Sequence, residues 1–301
     1  VSGMGGSALG SHVIKHLYKD ELTIPLEIYS NYQLPKYIGE HSLVILSSYS
    51  GTTEETLLAA EQAISAKSKI IVITSGGDLA KFAKTHNLPL YLIDPVYNPS
   101  NQPRMAIGYS IFAQIGLFKQ LNLINITDDQ VATLVDNLKK LVIKLNPESA
   151  TSPAKYLAFA AFDKIIIVVA SEHLIGASHV TNNQLNENAK TMTAEWNIPE
   201  LNHHYMEALS YPVIHENIFF LFINSYLYNP RVSKRIPITK LIAENKGCSS
   251  EVIQATAKTK LEQVFEIIQL GAFFNFYLAM LHKIDPAPIP TVDWFKEQMA
   301  K

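Results

Sequence analysis

The chain has 301 residues, enough for one large or two ordinary domains, and 48% are hydrophobic, which is ample for buried cores. Its formal charge is −2 and no long basic run is present, so nucleic acid is not an expected partner. The one cysteine, Cys248, cannot form an internal disulfide, which suits a reducing cytoplasm.

Val1 reads as the end of a strand. Gly3, Gly5 and Gly6 read as a tight turn, with Ser7 as the N-cap of a helix over residues 8–18. Gly3, Gly5 and Ala8 loosely fit a dinucleotide fingerprint. Against that, the next predicted strand, residues 26–29, ends in Ser30 and Asn31, with no acid placed to hold a ribose.

The densest chemistry follows in LVILSSYSGTTEETLLAA, residues 43–60. Residues 43–48 read as a buried parallel strand and the second half as a helix. Thr52 and Glu55 have capping-box spacing, which puts the helix start at the hydroxyl cluster. A helix N-terminus offers unpaired N–H groups and the positive end of the dipole. Around it Ser48, Ser50 and Thr53 can donate hydrogen bonds, and Gly51 permits close backbone approach. These residues suit a phosphate. They also suit a well-capped strand–helix turn that binds nothing.

Further strands are predicted at residues 69–74 and 90–93, with helices between them. This makes a parallel sheet covered on both faces, with two Gly/Ser-rich turns at its carboxyl edge. Helices follow near residues 104–121 and 128–145. Residues 146–153, polar with two prolines, read as an interdomain link. A second α/β pattern then begins, with strands at residues 165–170 and 218–223 and helices around them. Residues 267–281 are very apolar, but the run is shorter than a membrane span and contains Gln269 and Asn275, so a buried or subunit-interface helix is expected. The ten histidines show no H-E-x-x-H motif, and the His12/His16 pair has no evident third ligand, so no metal site is expected.

GMGGSALG followed by SYSGTTEET resembles the sugar isomerase (SIS) domain, which binds phosphosugars. QPRMAIGYS (residues 102–110), NQLNENAK (183–190) and PELNHH (199–204) narrow the resemblance to the bifunctional phosphoglucose/phosphomannose isomerases of archaea and bacteria. The likeness runs over nearly the whole chain, in order. It implies an α/β protein of two SIS-type subdomains, each a parallel sheet flanked by helices, here residues 1–147 and 148–301. It implies cytoplasmic aldose–ketose isomerisation of glucose 6-phosphate and mannose 6-phosphate with fructose 6-phosphate, through a cis-enediol and without cofactor or metal. A non-catalytic SIS-type phosphosugar-binding regulator is the alternative. Family members carry a helical lead before the first strand, so a further N-terminal segment is expected.

The resemblance also assigns residues. Gly5, Gly6, Ser7, Ser48, Ser50, Gly51 and Thr53 would hold the phosphate. Glu187 matches the catalytic base, with Asn186, Asn188 and Lys190 beside it. His203, the first of an adjacent pair, matches the ring-opening histidine. In related isomerases that histidine comes from the partner subunit, which implies a homodimer. From its own place at a helix start after a proline-rich loop, Arg104 would hold substrate oxygens or stabilise enediolate charge. Lys296, on a terminal helix after a proline-rich loop, would support ring opening, and Thr291 matches a threonine that makes room for both C2 epimers. Thr52 departs from the family, where Asn is common.

Overall fold

Strands alternate with helices in two stretches of the chain. In the computed structural model, which describes residues 1–299 and 301, these stretches form two compact units, Val1–Thr127 and Asp128–Lys301. The division falls 20 residues before the expected one at residue 147. The reason is helix α5 (Asp128–Leu145), whose apolar stripe packs against later helices of the second unit.

The first unit contains β1 (Ser2–Gly3), α1 (Gly6–Leu17), β2 (Leu43–Ser47), α2 (Glu54–Ser65), β3 (Lys69–Thr74), α3 (Gly77–Thr85), β4 (Leu90–Leu92) and α4 (Ile107–Gln120). The strands form one parallel sheet in the order β1-β2-β3-β4. Val44, Leu46 and Val72 point into a core closed by Ala59, Ala60, Ala63, Leu79 and Ala83. The alanines let α2 and α3 lie close to the sheet.

Residues 26–29 do not form the predicted strand. Tyr29 alone bridges Ser2 in parallel, with its N–H on the Val1 carbonyl at 2.8 Å and its carbonyl accepting from the Gly3 N–H at 3.1 Å. β1 is two residues long, so no ladder can extend beyond that point. The helix expected from Arg104 is also broken. Pro103–Met105 is a 3-10 turn and α4 starts at Ile107.

The second unit adds to α5 the elements α6 (Pro153–Ala160), β5 (Ile165–Ala170), α7 (Ile175–Glu187), β6 (Thr193–Asn197), α8 (Leu201–Ala208), β7 (Ile218–Ser225), α9 (Pro230–Asn245), β8 (Ser249–Ala255), α10 (Lys260–Leu281) and α11 (Pro290–Met299). Its sheet is parallel in the order β6-β5-β7-β8. β6 and β8 were not expected from the sequence, because their TAEWN and SSEVIQA lack the apolar run that marks β5 and β7. Helix α10 is long and apolar enough to cross a membrane, but it packs against α5, α6 and α7, and 56% of its apolar window is buried. It opens with a complete capping box between Thr259 and Glu262.

The sheets share one plan. If the Tyr29 bridge is counted beside β1, the first sheet runs bridge-β1-β2-β3-β4, and the second repeats it as β6-β5-β7-β8. In each, the chain leaves the first strand toward one side and then returns to the other. The crevice at that reversal lies at the carboxyl ends of β1 and β2 in one unit and of β5 and β7 in the other. Ligands of open α/β sheets bind in such crevices.

Candidate functional site: the carboxyl-edge crevice and the helices of the second unit

The turns after β1 and β2 meet at the first crevice. Gly5 takes φ +47° and is the N-cap of α1. Ser7, expected as the cap, lies inside the first turn instead. Its hydroxyl accepts the Tyr49 N–H at 2.8 Å, and its carbonyl accepts the Ser47 hydroxyl at 2.8 Å. Ser7 thus pins the two turns together. A Cβ on Gly6 would lie 2.9 Å from the Arg104 backbone nitrogen, so Gly6 lets the turn at residues 103–105 close over the first loop.

The second turn is built from its own hydroxyls. The expected Thr52–Glu55 capping box is absent, because α2 begins at Glu54 with Thr53 as its N-cap. The Thr53 hydroxyl bonds to Ser48 Oγ at 2.8 Å, and Ser48 Oγ accepts the Gly51 N–H at 3.1 Å. Ser50 Oγ accepts from the Thr52 N–H and hydroxyl at 3.3 and 3.0 Å. Ser48 is buried, Thr53 is half-buried and Ser50 is exposed. Glu54 and Glu55 hold the first two helical positions, whose N–H groups have no intrahelical acceptor.

Gly51 has φ +69°, and a Cβ there would lie 1.9 Å from the Gly76 carbonyl oxygen. The close approach it permits is therefore to the neighbouring turn after β3. Gly77 answers it, with φ +67° and the Ser50 oxygen 2.4 Å from its ideal Cβ. Three carboxyl-edge turns interlock here, and the Leu79 N–H closes the lock on the Gly51 carbonyl at 2.9 Å.

The equivalent crevice of the second unit is filled. The His173 Nε2 nitrogen lies 2.9 Å from Gln263 Oε1, which also accepts the Ser225 hydroxyl at 2.6 Å. The Tyr228 hydroxyl accepts the Ser171 N–H at 3.1 Å, and burial pushes its pKa above the ordinary tyrosine value. Ser171, His173, Ser225, Tyr228 and Gln263 are all buried. In the first crevice, by contrast, the Ser50 hydroxyl reaches the surface and Thr53 is half-buried.

The residues expected for chemistry are dispersed over several elements. Arg104 is 1% exposed in its 3-10 turn, and its Nη1 donates to Gln102 Oε1 at 2.6 Å. The sequence alone did not reveal that burial. Glu187 is the last residue of α7 and is half-buried. That helix end is held from several sides. Lys190 Nζ donates to the Glu187 carbonyl at 2.5 Å and to the Pro288 carbonyl at 2.7 Å. Asn186 Oδ1 accepts the Thr193 N–H at 3.1 Å. Buried Asn188 donates to Asn275 Oδ1 at 2.9 Å, and Asn275 donates to Gln184 Oε1 at 3.2 Å. Asn275, the polar intruder in apolar α10, thus braces the turn that carries Glu187.

His203 and His204 diverge as adjacent helical residues must. The His204 ring packs edge-on against Trp196 with centroids 5.1 Å apart, and its Nε2 lies 4.0 Å from Glu200 Oε1. His203 is exposed on α8. Lys296 and Thr291 are exposed on α11, which buries none of its side chains. Among the described residues, no three His, Cys, Asp or Glu side chains group in a way that would hold a metal ion.

Two parallel-sheet units with a hydroxyl-lined crevice at the first reversal point define a double SIS-type architecture. Tagatose-6-phosphate ketose/aldose isomerase from Escherichia coli has the same fold, with a TM-score of 0.71 at 16% identity over 95% of this chain and 82% of that one. Residues 150–299 match the family model described as the bacterial phospho-glucose isomerase C-terminal SIS domain. The bifunctional phosphoglucose/phosphomannose isomerase of Caldicellulosiruptor bescii is 34% identical, covering 100% of this chain and 89% of its own length. That of Aquifex aeolicus is 29% identical over 99% of this chain and 89% of its own. The chain belongs to the bifunctional phosphoglucose/phosphomannose isomerase family.

Proposed function

We propose that this protein is an aldose–ketose isomerase that interconverts glucose 6-phosphate and mannose 6-phosphate with fructose 6-phosphate. Family membership over the full chain carries this reading, and the hydroxyl-lined crevice of the first unit supports it. The alternative of a non-catalytic phosphosugar-binding module is not favoured by that membership. The test is a coupled assay with fructose 6-phosphate supplied and glucose 6-phosphate and mannose 6-phosphate each measured. Formation of both supports the reading, and formation of neither overturns it.

The phosphate group would sit at the N-terminus of α2, taking hydrogen bonds from Ser50 and Thr53 and from first-turn N–H groups. Ser48, Gly51, Gly5, Gly6 and Ser7 would hold the two turns in the shape that receives it. Glu187 would remove the C2 proton of the open-chain aldose. The electron pair left behind forms the C1–C2 double bond, and the aldehyde oxygen gains a proton. The resulting cis-enediol loses the O2 proton as the C2 carbonyl forms, and Glu187 returns its proton to C1. A planar intermediate loses C2 stereochemistry, so one site can serve both epimers. Arg104 would stabilise enediolate charge. His203 would move the ring-opening proton, since an imidazole can both donate and accept through its two ring nitrogens, and Lys296 would assist it.

A homodimer follows from the same reading. His203 and Lys296 are exposed and held on separate helices, which suits delivery of His203 to a partner's site. Cytoplasmic residence is the matching location for a phosphosugar enzyme with one cysteine.

A further inference from the structure

A groove with a cavity of about 380 Å³ runs between α8 and α9, lined by Asn202, Met206, Arg231, Lys234, Arg235, Ile238, Thr239 and Ile242. It uses none of the residues assigned to phosphosugar chemistry. Its floor is apolar, from Met206, Ile238 and Ile242, and one end is cationic.

The cations are costly where they stand. Arg231, Lys234 and Arg235 fall in the first two turns of α9, which has no acid in its first turn. Arg231, in the first turn, opposes the positive end of the helix dipole. Like charges three and four residues apart repel as well. Among the described residues, none of the three forms an ion pair with a carboxylate. Two acids on flanking elements have partners of their own, and Glu207 on α8 is exposed. Glu172 accepts the Asn229 N–H at 3.0 Å, and Glu200 faces His204.

One of the cations is also held in place. Arg235 Nη1 donates to Asn202 Oδ1 at 3.3 Å, Asn202 Nδ2 donates to Thr239 Oγ1 at 2.8 Å, and Thr239 Oγ1 donates to the Arg235 carbonyl at 2.8 Å. Thr239 is 3% exposed, so this closed ring of bonds is anchored in the interior. Preorganised guanidinium groups suit phosphate oxygens. Three cations that pair with no carboxylate among the described residues thus stand at the mouth of an apolar groove.

We infer that the α8–α9 groove is a second anion site, for an organic phosphate whose charged end lies between Arg231, Lys234 and Arg235 and whose apolar face covers Met206, Ile238 and Ile242. It shares no residue with the crevice after β1 and β2, and it does not depend on the catalytic roles proposed for Glu187 or His203.

The test is calorimetric titration of the full chain with inorganic pyrophosphate. To silence the first crevice, the titration is made on a Ser48→Ala/Ser50→Ala variant. One pyrophosphate per chain should still bind. Adding Arg231→Gln and Arg235→Gln should weaken that binding at least tenfold. In the otherwise native chain, the same two changes should leave kcat and KM unaltered and should not lower the melting temperature, because they remove repulsion. Should the double change prevent folding, Lys234→Gln, an exposed side chain, should weaken binding several-fold by itself. Loss of all pyrophosphate binding with the first crevice silenced would overturn the inference. Binding indifferent to Arg231, Lys234 and Arg235 would overturn it equally.

Discussion

Replacing Gly51 by alanine tests whether the turn after β2 is shaped by the lock between neighbouring loops. Two costs add. A non-glycine residue in the left-handed region costs about 1–2 kcal/mol, and Gly51 sits at φ +69°. The new methyl would also lie 1.9 Å from the Gly76 carbonyl oxygen and 2.8 Å from Thr74 Oγ1. The first is backbone, so relief requires the turn after β3 to move by more than 1 Å, at an overpacking cost of about 1–3 kcal/mol. Together these come to roughly 2–5 kcal/mol, a fall in melting temperature of about 6–15 °C for a unit of this size. Scanning calorimetry reads the fall, and steady-state kinetics should show a raised KM for fructose 6-phosphate, since the displaced turn carries Ser50 and Thr53. Gly116→Ala is the control. It lies inside α4 with nothing within 4 Å of its ideal Cβ, and should gain about 0.5–1 kcal/mol. A Gly51→Ala protein that melts within 2 °C of the parent with an unchanged KM would refute the interlocking-turn argument.

Asn275→Leu removes the amide between Asn188 and Gln184 and should cost about 1–3 kcal/mol for the buried partners it strands. Because it loosens the turn bearing Glu187, kcat should fall more than KM rises, and an unchanged kcat would show that the brace is irrelevant to chemistry. Cys248 is buried and its pKa is raised by that burial, only partly offset by Lys164. The folded chain therefore favours the neutral thiol. Through this residue, stability is full below the ordinary thiol range and is lost as pH rises through it. In native protein at pH 8, labelling by iodoacetamide should be many-fold slower than in urea, and equal rates would contradict the placement. Isomerisation of mannose 6-phosphate should survive EDTA. Loss that zinc restores would overturn a metal-free proton transfer.

Much of the fold was legible because its strands are apolar runs. Residues 69–74, 165–170 and 128–145 coincide with β3, β5 and α5. What failed was read from local signals that tertiary packing overrode. Residues 26–29 look like a strand but meet a two-residue neighbour. Thr52 and Glu55 have the right spacing for a cap, yet the bond between Ser48 and Thr53 shifts the helix start by one residue. β6 and β8 alternate polar and apolar residues weakly and are specified by the strands beside them. The site was legible as residue types but not as roles. Gly51 was visible as a close approach, but its partner, Gly76, is 25 residues away and no pattern points to it. Asn275 was noted only as an interruption of an apolar helix. Its bond to Asn188, 87 residues earlier, exists only in the folded chain.

If Glu187 carries the proton between C1 and C2, replacing it must stop exchange at C2. The most direct measurement is solvent exchange of the C2 proton of glucose 6-phosphate and of mannose 6-phosphate in deuterium oxide, followed by NMR for the parent and for Glu187→Gln. A positioned general base contributes about 10²–10⁴-fold. In Glu187→Gln, exchange and isomerisation of both epimers should fall together by at least that factor, while phosphosugar binding measured by calorimetry persists. Near-parental C2 exchange in Glu187→Gln would contradict it and would pass the role of base to Glu195 or Glu200.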